Sequence, residues 1–536
     1  LLSANGHIEG PIIEDKLSFN LAARRTYADF ILGSIGSGNT ALNAYYFYDI
    51  TGKLSFRHKN TSWDLDFYQG KDDFDFQRRS SYQNSIQWTN RILTLKGLIN
   101  HGENAFSELN IYNSRYSMNF GALIAGYNLL LSSEVNETGS GYAFNYEKEQ
   151  WNIKAGASLS KFKLSPNNAS AEGNNLELDI NESLTLHAVL GSVFTEFSLF
   201  SNAWAFSLGL RYSLYGHIGP YTTYFPDDNG FRGDSAIYDQ NELVFSYNRP
   251  EPRLKLAYSF PGLKLSASYD RTVQFIHLGT TSSVSLPTDV WIPSTKNTTP
   301  QIGDQLSLTA ETETSFFNFA SLGIYYRKMD NMIEFQDGLL AGYSGTALNF
   351  DDNFLYGSGV AYGAELQLEK KWGNLSNTLA YTLSRTIRQF DQLNNGNPFP
   401  DKYDRIHDLS ILSVWEMNKK WQFSMLFTFA TGNALTLPVG RYIIQENILN
   451  EYVSRNGFRM PAYHRMDLSA RWLTFNNSKQ RREWIFSIYN AYSRNNPYYV
   501  FYEISGSLEN FEIDVEARQV ALFPILPSVT WRVTFL

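Results

Sequence analysis

Apolar and polar residues alternate one by one through most of this 536-residue chain. At its end Val529, Trp531, Val533 and Phe535 alternate with Thr530, Arg532 and Thr534. Successive side chains of a strand point to opposite faces, so each such segment carries one apolar and one polar face. The same period runs through Leu17, Phe19, Leu21 and Ala23, through Trp63, Leu65 and Phe67, and through Trp151, Ile153, Ala155, Ala157 and Leu159. It returns over Phe206–Leu214, Ala364–Leu368, Leu375–Leu383, Trp421–Phe429, Met466–Trp472 and Trp484–Ile488. Helical spacing does not compete in these windows. The fold is predicted to be all-β, and the open question is what the apolar faces meet.

The connections between strands answer it. Pro261-Gly262 suits the centre of a tight turn, with Leu254–Phe260 and Leu263–Tyr269 as the arms of a hairpin. Further short connections are expected at Lys371–Asn374 and Asn418–Lys420, whereas long polar segments cover Tyr221–Asn241, Asp391–Arg405 and Pro438–Pro461. Short turns at one end and long loops at the other are the pattern of a transmembrane barrel. No run of about 18 apolar residues offers a membrane helix. A soluble β-sandwich also alternates, but no linker, proline-rich stretch or composition shift divides the chain into such units. A closed barrel pairs every backbone group, as hydrocarbon requires, and turns the apolar half of each strand to lipid. At roughly 24 residues per strand and connection, the chain holds about 20–22 antiparallel strands, with short periplasmic turns and long extracellular loops. A barrel of that size encloses a lumen that side chains cannot fill.

Composition agrees. Aromatics are 15% and charged residues 18%, and cysteine is absent, which removes disulfides and thiolate chemistry together. A net charge of −8 argues against a nucleic-acid partner, since phosphate neutralisation needs clustered Lys and Arg.

Several stretches resemble one family. A-Y-T-L-S-R-T-I-R-Q-F-D-Q-L-N-N-G-N-P-F-P-D-K-Y-D-R-I-H-D-L-S-I-L (380–412), F-A-T-G-N-A-L-T-L-P (429–438), Y-H-R-M-D-L-S-A-R-W (463–472) and I-Y-N-A-Y-S-R-N-N-P-Y-Y-V (488–500) resemble the late barrel of TonB-dependent receptors of the Bacteroidetes type. H-I-E-G-P-I-I-E-D-K-L-S-F-N-L-A-A-R-R-T-Y (7–27) resembles its early barrel, and the closing strand resembles its last.

The resemblance implies an outer-membrane barrel of about 22 strands that imports a scarce nutrient. Force would come from the TonB–ExbB–ExbD complex acting on a plug. Neither plug nor TonB box precedes Leu1, and the connection Gly10–Lys16 would be periplasmic, so Leu1 would begin on the outer side. Residues 1–536 are therefore expected to be the barrel portion of a longer protein, without its first strand. The alternative is a plugless barrel serving as a structural subunit of a larger outer-membrane assembly. Val529, Trp531, Val533 and Phe535 would be the signal read by the barrel assembly machinery, although Leu536 rather than an aromatic ends the chain. A surface lipoprotein is a further implied partner.

No catalytic motif of the G-x-S-x-G, H-E-x-x-H or P-loop type appears, and neither an enzyme nor a cofactor is expected. The loop F-P-D-D-N-G-F-R-G-D (225–234) lacks the ligand spacing of a hand-type calcium loop, and reads as a polar outer loop. Asp234-Ser235-Ala236 fits a short O-glycosylation pattern. Asp401, Asp404, His407 and Asp408 could gather around a metal, but in a strand 404 and 408 share a face that 407 does not. Pairing with arginine at the rim is the competing role, and His464, Arg465 and Asp467 invite the same reading. Tyr221, Tyr224, Tyr498 and Tyr499 are the candidate substrate contacts, since rings in outer loops can stack on sugars, peptides or flat chelates. Girdle or loop packing is the alternative for them. Arg532, Asp467 and Arg471 are expected to line or brace the lumen wall.

Overall fold

The computed structural model describes residues 3–27, 44–79, 82–124, 127–173, 176–179, 184–229, 231–279, 290–335, 349–437, 440–444, 447–451, 454–507, 512–521 and 524–535. Among them the only helices are two 3-10 turns, Phe350–Asn353 and Asn394–Gly396. No helix is long and apolar enough to cross a membrane. A 23-stranded sheet dominates. Twenty-one of its strands run up and down in chain order, each paired antiparallel to the next, from Ser3–Ile13 to Leu526–Phe535. The other two, Leu176–Asp179 and Phe399–Pro400, only lengthen the tips of single strands.

One end of this wall carries the tight turns. Leu254–Phe260 pairs with Leu263–Tyr269 in the predicted register, across a turn where Gly262 takes φ 77°, a left-handed backbone that favours glycine. Trp372 pairs with Leu375 around Gly373 at φ 56°. Asn418 and Asn477 close their turns through the side chain: Asn418 Oδ1 accepts from the backbone N–H of Lys420 and Trp421 at 2.8 and 2.9 Å, and Asn477 Oδ1 from Lys479 and Gln480 at 2.9 and 2.7 Å. The front connection is shorter than expected. Gly10–Ile13 continues the first strand, with an irregularity between Pro11 and Ile13, and only residues 14–16 turn. At the opposite end the long segments hold small hairpins of their own, Tyr221–Pro226 with Arg232–Tyr238 and Gly440–Ile444 with Asn447–Glu451.

Pairing carries the alternation from strand to strand, so one face of the wall bears a continuous apolar band. Trp421, Trp472, Trp484 and Trp531 are successive register partners across four strands, with ring centroids 5.5 Å apart for Trp421–Trp472 and 6.2 Å for Trp484–Trp531. Nine of the eleven tryptophans lie within five residues of the tight-turn end of a wall strand, where an interfacial girdle belongs. On the strand Trp151–Gly173 the outer face reads Trp151, Ile153, Ala155, Ala157 and Leu159, and then turns to Lys161 and Lys163. Ten residues span about 33 Å of strand, which at a tilt of about 40° gives the apolar height of about 25 Å that hydrocarbon demands.

The other face is polar and paired. Lys53 meets Asp64 at 2.9 Å, Lys96 meets Asp66 at 3.3 Å and Lys154 meets Glu108 at 3.6 Å. Five strands, Thr61–Arg79 through Trp151–Gly173, have 19 to 23 residues. At about 3.3 Å per residue they are roughly twice as long as a crossing needs, so this sector stands above the membrane on the long-loop side.

The two faces predict opposite tolerance at adjacent positions. Leu208→Lys puts an ammonium into the lipid band and is expected to cost about 2–4 kcal/mol. Ser207→Lys places it in the lumen beside Glu196, whose carboxylate lies 3.2 Å from Ser207 Oγ, and is expected to cost under about 1 kcal/mol. Urea titration of barrels refolded into vesicles measures both, and equal losses would refute the assignment of faces.

Candidate functional site

Lumen-facing residues on Trp204–Ile218 fall on the odd positions. Low on the wall they are wet, but higher up they are covered. Tyr215 and His217 are 2% and 1% exposed, and Ala188 and Leu164 on the neighbouring strands are fully buried. The cover is two short pieces, residues 275–279 and 290–298, packed on the lumen side of these strands. Phe275 stacks on Tyr215 with centroids 5.0 Å apart. Tyr215 Oη donates to the carbonyl of Ser294 at 2.6 Å and Tyr247 Oη to that of Thr295 at 2.7 Å. His277 Nε2 lies 2.9 Å from Ser294 Oγ. Burial pushes the His277 imidazole down from 6.5 to about 4, because a protonated ring would lose its solvation there.

This inner segment is tied to other loops. Thr295 Oγ1 donates to Asp351, whose carboxyl burial pushes up, and Thr298 Oγ1 lies 3.1 Å from Tyr356 Oη. Asn349, at the start of the turn bearing Asp351, holds Tyr224 by both backbone groups, accepting from its N–H at 2.9 Å and donating to its carbonyl at 3.1 Å.

A second knot lies beside this segment, where Ile333 packs against Val290 and Ile292. Glu334 accepts from Arg388 at 3.0 Å and from Arg455 at 2.6 Å. Arg388 also pairs with Asp401. Asp404, 1% exposed, pairs with Arg459, lies 3.7 Å from Arg385 and accepts from the Thr386 N–H at 2.6 Å. Phe390, Met332, Leu393 and Phe399 form the apolar floor beneath. Carboxylates this deeply buried are tolerable only with such partners.

The knot decides the reading of the Asp-rich cluster. Asp404 lies in the loop ahead of the strand, which begins only at His407, so the shared face expected for 404 and 408 does not arise. His407 Nδ1 is 2.8 Å from Tyr381 Oη, and Asp408 lies 3.8 Å from Arg405. Among the described residues no group of three His, Asp or Glu is placed to hold a metal. His464, Arg465 and Asp467 separate in the same way: Arg465 pairs with Asp467 at 3.0 Å and donates to Tyr489 Oη at 2.6 Å, while His464 meets Tyr492 Oη at 2.8 Å.

A lumen walled by paired charges, belted outside by aromatics and capped by inward-folded loops is a transport architecture. Residues 13–491 match the family model described as "TonB dependent receptor-like, beta-barrel". The chain belongs to the TonB-dependent receptor family. It is therefore an outer-membrane β-barrel of a receptor and transport family. No curated protein matches it by sequence. Among solved structures it is similar to the ferric yersiniabactin uptake receptor FyuA of Yersinia pestis at 11% identity and TM-score 0.64, with 99% of this chain and 76% of that one covered. It is also similar to the copper transporter OprC (12%, 0.65, 96% and 77%) and to the ferric citrate transporter FecA in its unliganded form (13%, 0.63, 100% and 75%). Identities this low establish a shared barrel fold.

Within this TonB-dependent receptor barrel, two of the predicted contact residues are packed against neighbouring side chains. Tyr221 packs its ring 4.7 Å from His217, and Arg232 lies over the Tyr224 ring at 4.3 Å, so both take part in loop packing. Tyr498 is 40% exposed, and the Tyr499 side chain lies outside the described residues. Val529, Trp531 and Phe535 are 61%, 60% and 79% exposed on the outer face. Arg532, Arg481 and Arg471 surround Glu483, itself 3% exposed, at 2.9, 3.0 and 4.0 Å on the lumen side. Sequence reasoning missed the inner pieces 275–279 and 290–298. Their signal was faint: two short apolar runs, I-H-L-G and V-W-I-P, in a stretch too long for a tight turn.

Two outcomes test the mouth. Arg388→Met leaves Asp401 without its guanidinium and Glu334 with Arg455 alone; it is expected to cost about 3–5 kcal/mol of local stability, read as faster hydrogen exchange over 390–406 with the wall strands unchanged. Protonation of His277 opposes docking, so protection of 290–298 is expected to fall as pH drops from about 6.5 towards 4. Asp351 acts in the opposite sense at lower pH, since its raised carboxyl takes a proton more readily when docked. Comparison with His277→Gln isolates the histidine, and an identical pH profile in that variant would refute its role.

Proposed function

We propose that the chain is the transport barrel of a TonB-dependent importer, with a plug supplied by the same protein ahead of Leu1. The observation that carries the reading is the braced mouth. Buried Glu334, Asp401 and Asp404 with their arginines hold extracellular loops inward over a polar lumen. Loops fixed this way present a pre-formed entrance for a solute and leave a path of paired charges below it. Force transmitted through TonB would move a plug past this wall, and Glu483 with Arg471, Arg481 and Arg532 would brace its tight-turn end.

Solved relatives named for ferric yersiniabactin, copper and ferric citrate support a small, scarce solute as cargo. Exposed Val529, Trp531 and Phe535 support recognition of the last strand by the barrel assembly machinery. The family and the solved relatives are receptors and transporters, so we assign no enzymatic role. A surface lipoprotein would meet the tall sector Thr61–Gly173, which stands furthest from the membrane.

The decisive experiment is the intact mass and N-terminal sequence of the native protein from outer membranes, joined to a growth assay with and without TonB. We expect a mass above the 61.2 kDa of this chain, with a plug, and a growth defect on limiting nutrient when either TonB or this protein is deleted. A native protein of 61.2 kDa beginning at Leu1 would overturn the importer reading in favour of a scaffold.

A further inference from the structure

Charges on the outer face beyond the apolar band are paired nearly everywhere. Lys71 has Asp73 at 3.2 Å, Arg115 has Glu134 at 2.9 Å, Arg271 has Asp304 at 2.7 Å and Lys328 has Asp330 at 3.0 Å. Arg91, the register partner of Arg115, is one exception, and a second place gathers two lysines. Lys161 and Lys163, two residues apart on the outer face of Trp151–Gly173, have no carboxylate within ion-pair distance among the described residues. Lys161 Nζ makes one hydrogen bond, to Asn241 Oδ1 at 2.9 Å. His187, the register partner of Lys163, has a buried Nδ1 without a hydrogen-bond partner. Glu242, in the turn beyond Asn241, is engaged by the backbone N–H of Asp239 at 2.8 Å.

Two lysines and His187, together with Asn136, Thr138 and Pro220, line an open cavity of about 260 Å³. Like charges on one strand face repel, and the cavity offers ammonium, hydroxyl and amide donors with no anion among its lining residues to receive them. Its height decides which anion is at hand. Lys161 is the first charge after the apolar run from Trp151 to Leu159, on the long-loop side. In an outer-membrane barrel that is the level of the outer-leaflet headgroups.

We propose that the Lys161–Lys163–His187 cavity binds a phosphate, and that the phosphate belongs to the headgroup of an outer-leaflet glycolipid. Charge-assisted bonds from two ammonium groups match a phosphate monoester, and basic pockets on membrane proteins hold lipid headgroups in this way. The site lies outside the lumen, so it stands independently of what the barrel imports.

Binding to the purified full-length protein tests it, with three probes: purified lipopolysaccharide, the same lipid after dephosphorylation, and inorganic phosphate. Wild type should bind the phosphorylated lipid, and Lys161→Ala/Lys163→Ala should bind it about thirtyfold more weakly, the combined effect of two near-surface lysines. Lys161→Arg/Lys163→Arg should retain binding, and heat-modifiable gel migration shows that each variant is folded. Equal binding of the dephosphorylated lipid, or unchanged binding by the folded double-alanine variant, would overturn the site. Inorganic phosphate binding as tightly as the lipid would overturn the lipid source and leave a free-anion site.

Discussion

Every backbone N–H and C=O within hydrocarbon must find a partner in the protein, because no water is present to take its place. The rest of the structure follows from that demand. It is met here by pairing each strand to its successor along the chain, from Ser3–Ile13 to Leu526–Phe535. Pairing in register forces side chains into two sets, and membrane and water sort those sets by polarity. The row Trp421, Trp472, Trp484 and Trp531 exists because four strands with tryptophan at one phase are locked side by side.

A wall built this way leaves a wide wet interior, and the chain closes its mouth with material from the loops. Closing it costs the desolvation of carboxylates. Glu334, Asp401 and Asp404 are each buried, and each is matched by guanidinium groups. Arginine suits the task because its planar fork serves two acceptors at once, as Arg388 does for Glu334 and Asp401. The apolar floor of Phe390, Leu393 and Phe399 shields these pairs from water and strengthens them. The other inner segment relies mainly on tyrosine hydroxyls bound to backbone carbonyls and on an unprotonated His277, which makes its docking sensitive to acid.

Much of this was legible in the residues. The alternation located the strands, Pro261-Gly262 gave a hairpin in its observed register, and the contrast of short and long connections gave the two ends. The family resemblance rested on segments such as 380–412 and 463–472, which are wall strands and the rim joining them. The site was less legible. Tyr221 and Tyr224 sit where ring-bearing loops were expected, yet their rings are spent on His217 and Arg232. Asp404 lies in the loop ahead of His407 and pairs with arginine at the rim, as the long segment Asp391–Arg405 and the rim-pairing role had suggested, but its arginine, Arg459, was not legible.

The sequence by itself determined an all-β chain, one apolar face per strand, a strand number near the observed one, and tight turns at one end. These are local properties: a period of two, a glycine at positive φ, or an asparagine closing a turn is complete within a few residues. Tertiary structure alone decided which charges meet. Glu334 and Arg455 are 121 positions apart and Asp404 and Arg459 are 55 apart. Only the curvature of the wall brings their loops together. It likewise decided that residues 275–279 and 290–298 pack on the lumen side, and that Lys161 and Lys163 stand without a counter-charge among the described residues. No periodicity encodes these, because each depends on which loops and strands the fold sets side by side.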